Sequence, residues 1–108
     1  MSGPGTRALI SQWRITSANL WDAGFLDLVE PARITITDTG HGNLVFGALQ
    51  ADLNLEYGQS IVFFRFQGTD EMDPVSGEGS AELDDDGLLE VEISFHDGDD
   101  AVLNARKE

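Results

Sequence analysis

Two histidines, His41 and His96, are the only imidazoles in a chain of 108 residues that contains no cysteine. Thiolate chemistry and disulfides are therefore excluded, and so is a three-histidine metal site. His41 sits between two glycines, in a turn. His96 lies in the run Ser94-Phe95-His96-Asp97-Gly98-Asp99-Asp100. With Phe95 turned inward on a strand, His96 points outward, and a turn at Asp97-Gly98-Asp99 sets Asp100 across from it. An imidazole beside a carboxylate serves either as a general base or as half of a surface pair. Ser94 shares that face, but this spacing is too unspecific to define a nucleophilic triad. No residue is assigned a catalytic role.

Carboxylates are far more numerous: 20 Asp and Glu against 6 Lys and Arg, for a formal charge of −14. From Asp70 to Asp100 there are thirteen acids and no Lys or Arg. A hard cation such as calcium needs roughly six to eight oxygens converging on one point. The stretch GTDEMDPVSGEGSAELDDDG, residues 68–87, lacks the spacing of a calcium loop, and Asp and Gly are good turn formers in any case. Successive tips of a meander alternate ends. Asp70, Glu71 and Asp73 therefore fall at the same end as Asp99 and Asp100, away from Asp84 to Asp86. Those five acids are expected to form a weak cation surface, with no tight metal site and no cofactor. Gly77 and Gly79 invite comparison with a phosphate loop, but the lysine and following helix are missing and the acids repel phosphate.

These residues must be positioned by strands, because period-two alternation dominates the chain. Residues 1–8 read as a flexible tail and 9–108 as one domain. LISQWRITS reads as a first strand with Leu9, Trp13 and Ile15 on one face. In NLWDAGFLDLVEP the spacing of Trp21, Phe25, Leu28 and Val29 predicts a short helix over 19–29, with Asn19 as N-cap and Pro31 as stop. ARITITDTG alternates, with Ile34 and Ile36 inward. NLVFGALQADLNLEYG changes apolar phase, and a bulge near Gly47 in one long strand reconciles its halves.

Three hairpins follow. A turn at Tyr57-Gly58 sets Leu53 opposite Val62. A turn at Asp85-Asp86-Gly87 sets Leu83 opposite Leu89 and Gly79 opposite Ile93. A turn at Asp97-Gly98-Asp99 sets Phe95 opposite Ala101, and places Arg106 opposite Glu90. Each keeps the apolar phase inward. The expected fold is all-β: an antiparallel up-and-down barrel of about seven strands, with the short N-terminal helix closing one end. A two-sheet sandwich is the alternative.

An early Trp13 on the first strand, a short helix and then a meander of hairpins resembles the calycin group, which includes lipocalins and avidins. A lipocalin carries Gly-x-Trp on that strand; here the triplet is Ser11-Gln12-Trp13. The phrases WRITS, GTDEMDPVSGEGSAEL and SFHDGDDAVLNAR also resemble a family of small uncharacterised bacterial proteins. Neither resemblance supplies an activity or functional residues.

Hydrophobic residues make up 41% of the chain, enough for one modest core. So strong an acidic excess repels nucleic acid and anionic membranes, and neither is an expected partner. The N-terminus has no long apolar run, so no signal peptide or membrane span is expected and the cytoplasm is the default compartment. Outward Ile61 and Phe63 share one strand and are the expected contact for a homodimer. Trp13, Trp21 and Phe25 are the candidates for binding a small ligand at one barrel end. Three functions remain open: a non-catalytic binding module for a small ligand or protein; an acidic regulatory protein that binds a basic partner, in the manner of a nucleic-acid mimic; and, less favoured, a small enzyme using His96 and neighbouring acids.

Overall fold

The computed structural model describes residues 8–19, 23–28, 30–96 and 98–108. Eight strands form a closed antiparallel barrel in sequence order: β1 (Ser11–Ala18), β2 (Arg33–Ile36), β3 (His41–Phe46), β4 (Leu49–Tyr57), β5 (Ile61–Asp70), β6 (Asp73–Leu83), β7 (Leu89–Phe95) and β8 (Asp100–Lys107). A four-residue helix, α1 (Ala23–Leu26), lies between β1 and β2. The barrel closes where β8 pairs with β1, which leaves no free edge.

The eighth strand comes from the segment expected to be one bent strand. Gly47 and Ala48 form a two-residue turn, with Phe46 opposite Leu49 and Gly47 at φ +57°. A bulge and a tight turn both shift the apolar phase by one residue. The turn prevails because Gly47 accepts the left-handed backbone at little cost. A Cβ there would lie 2.7 Å from the Phe25 ring.

The β6–β7 hairpin has the expected register, with Leu83 opposite Leu89, Gly79 opposite Ile93 and Gly87 at φ +80°. Its turn is fixed locally: Asp84 Oδ1 accepts the N–H groups of Asp86 at 2.9 Å and Leu88 at 3.0 Å. Two other registers slip by an even number of residues. In β4–β5 the turn is Gln59-Ser60, closed by Gly58 N–H on Ile61 O at 2.7 Å, so Leu53 faces Phe66 and not Val62. This places Gly68 against Ala51, where a Cβ would lie 1.9 Å from the Gln50 carbonyl oxygen. In β7–β8, Phe95 N–H donates to Asp99 O at 2.8 Å, and Ile93, not Phe95, faces Ala101. Even slips preserve which face each side chain occupies, so the expected core survives both corrections.

That core includes Trp13, Ile15, Ile34, Ile36, Leu44, Leu53, Val62, Phe64, Phe66, Val91, Ile93 and Leu103, all buried, with Leu83 and Phe95 partly buried. Phe66 meets Phe95 edge to face at 5.4 Å, a geometry worth about 0.5–1.5 kcal/mol beyond burial. On β6, Gly77 and Gly79 lie opposite Phe66 and Phe64 of β5. A Cβ on either glycine would enter those rings, at 2.5 Å for Gly77 and 2.7 Å for Gly79. The glycines thus make room for aromatics from β5, whereas the sequence pointed to Ile93 and Phe95 on β7.

The first strand starts at Ser11, two residues later than expected. Leu9 is helical but still buried, and its carbonyl accepts the Trp13 Nε1–H at 3.0 Å. The N-terminal helix is one turn long among the described residues, and Asn19 does not cap it. Asn19 instead extends the β1–β8 ladder, donating its N–H to Val102 O and accepting Val102 N–H on Oδ1. Among the described residues of this segment, Leu26 is buried, while Phe25 and Leu28 are exposed. A single turn has too few residues to present an i, i+4 face, and the Leu26 carbonyl is tied to Gly47 N–H at 2.7 Å.

Candidate functional site

His96 and Asp100 are not brought together. The β7–β8 register pairs Ser94 with Asp100, while His96 turns toward β6. Its N–H donates to Ser76 O at 3.0 Å, and its Nδ1 lies 3.0 Å from Ser76 Oγ, sharing a proton whose side depends on the tautomer. This serine–imidazole contact lies one pair beyond Gly77 and Phe95 in the β6–β7 ladder, so the register expected from the sequence already sets residue 76 opposite residue 96, although the sequence reading sought the partner of His96 on β8. Among the described residues no third group hydrogen-bonds the imidazole to orient it as a base, and His96 is exposed. His41 opens β3, after a turn in which Gly40 takes φ +86°. Antiparallel alternation puts it at the opposite end of the barrel from His96.

The five candidate cation acids do share one end. Asp70 and Asp73 close the β5–β6 hairpin around Glu71 and Met72, and Asp99 and Asp100 lead into β8. Among the described residues no three His, Asp or Glu side chains are grouped to hold a metal ion. Of the ligand candidates, Trp13 is 1% exposed and Phe25 38%. Trp13 bonds to Leu9 at the start of β1, and Phe25 rests on the β3–β4 turn at the other end. Trp21 lies outside the described residues.

The outer wall is more organised than the ends. On β5, β6 and β7 the outward positions carry Phe63, Arg65, Glu78, Ser80, Glu82, Glu90 and Glu92. Glu82 faces Glu90 directly, as expected, and Glu92 faces Ser80. Glu56 of β4 faces Phe63, which is 49% exposed. A cleft of about 710 Å³ runs along this wall, lined by Glu56, Phe63, Arg65, Glu78, Ser80 and Glu92 among others. The ion pairs among the described residues are Arg14–Asp27 and Arg33–Glu108, so none of these five glutamates is neutralised by one.

Apart from Arg65, which faces Glu78 on the glutamate wall, the bases among the described residues gather on the opposite wall. Arg106 does not face Glu90, whose partner is Asn104; it faces Arg14, which on its other side faces Arg33. Three guanidinium-bearing residues thus form one cross-strand row where the barrel closes. Local sequence patterns contain no sign of it, because only closure of β8 on β1 juxtaposes residues from the two ends of the chain.

Fold and walls together define a closed eight-stranded antiparallel barrel, compatible with the calycin layout, with a packed interior and two outer walls of opposite charge. Comparison with protein-family models, curated proteins and solved structures gives no match. No helix among the described residues is long and apolar enough to cross a membrane.

Proposed function

We propose that this chain is a non-catalytic binding module that takes a basic protein segment on the outer wall of β5, β6 and β7. The observation that carries the reading is the direct opposition of Glu82 and Glu90, one outward row from exposed Phe63, whose β6 neighbour is Ser80. Like charges opposed across a ladder cost stability. A partner bearing Lys or Arg would relieve that repulsion on binding. An aromatic side chain half out of solvent, rimmed by charge, has the layout of a binding anchor. The interior supports an outer-wall site too, because small barrels filled by side chains hold little else.

Charge also orders the competing occupants. A second copy docking through Ile61 and Phe63 would set glutamates against glutamates, so self-association there belongs to high salt. The resemblance to a family of small bacterial proteins is compatible with this reading and adds no activity to it.

The test uses a lysine-rich peptide with one central leucine, titrated calorimetrically at low and high sodium chloride. Saturable binding at low salt is expected. It should weaken about tenfold with E82Q/E90Q, and steeply with salt, as charged rims behave. Absence of binding at low salt, or binding indifferent to both E82Q/E90Q and F63S, would refute the reading.

A further inference from the structure

We propose that the arginine row at the seam of β8 and β1 is a binding site for a small oxyanion, a phosphate or a carboxylate. The proposal concerns the wall opposite the glutamates and does not depend on the reading of that wall.

The chain carries only six Lys and Arg, and four of them, Arg14, Arg33, Arg106 and Lys107, converge on this seam. Arg14 and Arg106 are directly opposed on the outer face. Two guanidiniums so placed repel each other, and an anion held between them converts the repulsion into a double fork. Guanidiniums match planar and tetrahedral oxyanions through paired N–H donors.

The arrangement is held in advance. Asp27 Oδ2 accepts Arg14 Nη2–H at 2.6 Å, while Asp27 Oδ1 accepts Ala32 N–H at 2.9 Å. One carboxylate, itself anchored to the backbone, thus fixes Arg14 and consumes one of its donors, leaving the others for a ligand. Arg33 Nε is ion-paired with Glu108 Oε1 at 3.4 Å, without hydrogen-bond geometry. Arg106 and Lys107 have no acidic partner among the described residues, so theirs are the uncompensated charges of the seam.

Space is available as well. A cleft of about 780 Å³ opens here, lined by Arg14, Thr16, Asp27, Arg106, Lys107 and Glu108 among others, with Glu108 paired to Arg33 and Asp27 to Arg14. The β1–β8 register breaks at this point, between Ile15 and Ser17. Such a bulge bends the strand and re-aims its side chains, and bulges concentrate beside functional sites. Thr16, the residue inside the break, donates its hydroxyl to Asn104 O at 3.2 Å.

The experiment follows the arginine Nε–H signals of the labelled protein by NMR while chloride is exchanged for inorganic phosphate at constant ionic strength. A second arm uses acetate. Signals of Arg14 and Arg106 are expected to move together and saturate at millimolar anion, and Arg65, on the far wall, to stay still. Saturation with phosphate alone, with acetate alone or with both supports the site and identifies its head group. R106Q should weaken binding about tenfold, and R106K, which keeps charge but loses the fork, by less. Because R106Q also removes a like-charge contact, its melting temperature should equal or exceed that of the unsubstituted protein, so lost binding cannot be ascribed to unfolding. Linear, unsaturable shifts in both arms, equal shifts at Arg65, or unchanged affinity in R106Q would overturn the proposal.

Discussion

Replacing Gly79 by alanine adds one methyl group, and in an open strand position that change usually stabilises a protein by about 0.4–1 kcal/mol through the unfolded state. At Gly79 the sign should reverse. The new Cβ would lie 2.3 Å from the Glu92 carbonyl oxygen, and 2.7 and 2.9 Å from two atoms of the Phe64 ring. Carbon and carbonyl oxygen normally approach no closer than about 3.3 Å, so β6 and β7 must part by about 1 Å at this point. That strains one or two ladder hydrogen bonds, each worth about 0.5–1.5 kcal/mol. Phe64, only 3% exposed, must also move, losing part of the roughly 1.5–3 kcal/mol that burial of such a side chain contributes. The net cost is about 2–4 kcal/mol after the unfolded-state gain. At about 4–5 °C per kcal/mol for a domain of this size, melting should fall by about 8–20 °C. Thermal unfolding followed by far-UV circular dichroism reads this directly. A double-mutant cycle with F64L separates the two contacts: relief of the ring should make G79A/F64L less costly than its parts by about 1 kcal/mol. Gly87 is the control. It has φ +80°, and a methyl group added there would meet nothing within 4 Å, so G87A should cost only the left-handed backbone strain of about 1–2 kcal/mol. A G79A protein melting at or above the unsubstituted one, or strict additivity with F64L, would refute the packing argument.

Two further changes test the ends of the barrel. Glu71 and Met72 form the β5–β6 turn with φ +52° and +73°, and Met72 is 91% exposed. Asn-Gly suits such a turn far better, so replacing the pair should raise stability by about 1–2 kcal/mol in urea unfolding; no gain would argue against a left-handed turn there. Trp13→Phe removes the hydrogen bond to the buried Leu9 carbonyl and leaves a small void, for an expected loss of about 2–4 kcal/mol. A loss below about 1 kcal/mol would mean that the Trp13–Leu9 bond contributes nothing net.

The division between local and tertiary information follows from how each feature is encoded. Alternation along a strand is local, and it correctly placed Phe64 inward and Phe63 outward because any even slip in pairing leaves parity intact. The β6–β7 register was legible for the same kind of reason: Asp84 caps its own turn and Gly87 supplies the left-handed residue, within a span of five residues. The opposition of Glu82 and Glu90 came with it. Elsewhere parity alone was silent. It could not separate a bulge from a turn at Gly47, since both shift phase by one, and that choice rested on Phe25 packing over the glycine and Leu26 accepting its N–H. It could not locate the β4–β5 pairing, which is held by the close approach of Gly68 to the Gln50 carbonyl. Nor could it find the neighbours of Arg106. Those contacts depend on how β8 returns along β7 and closes against β1, and closure is a property of the whole sheet, set by the combined twist and offset of all eight strands rather than by any one segment.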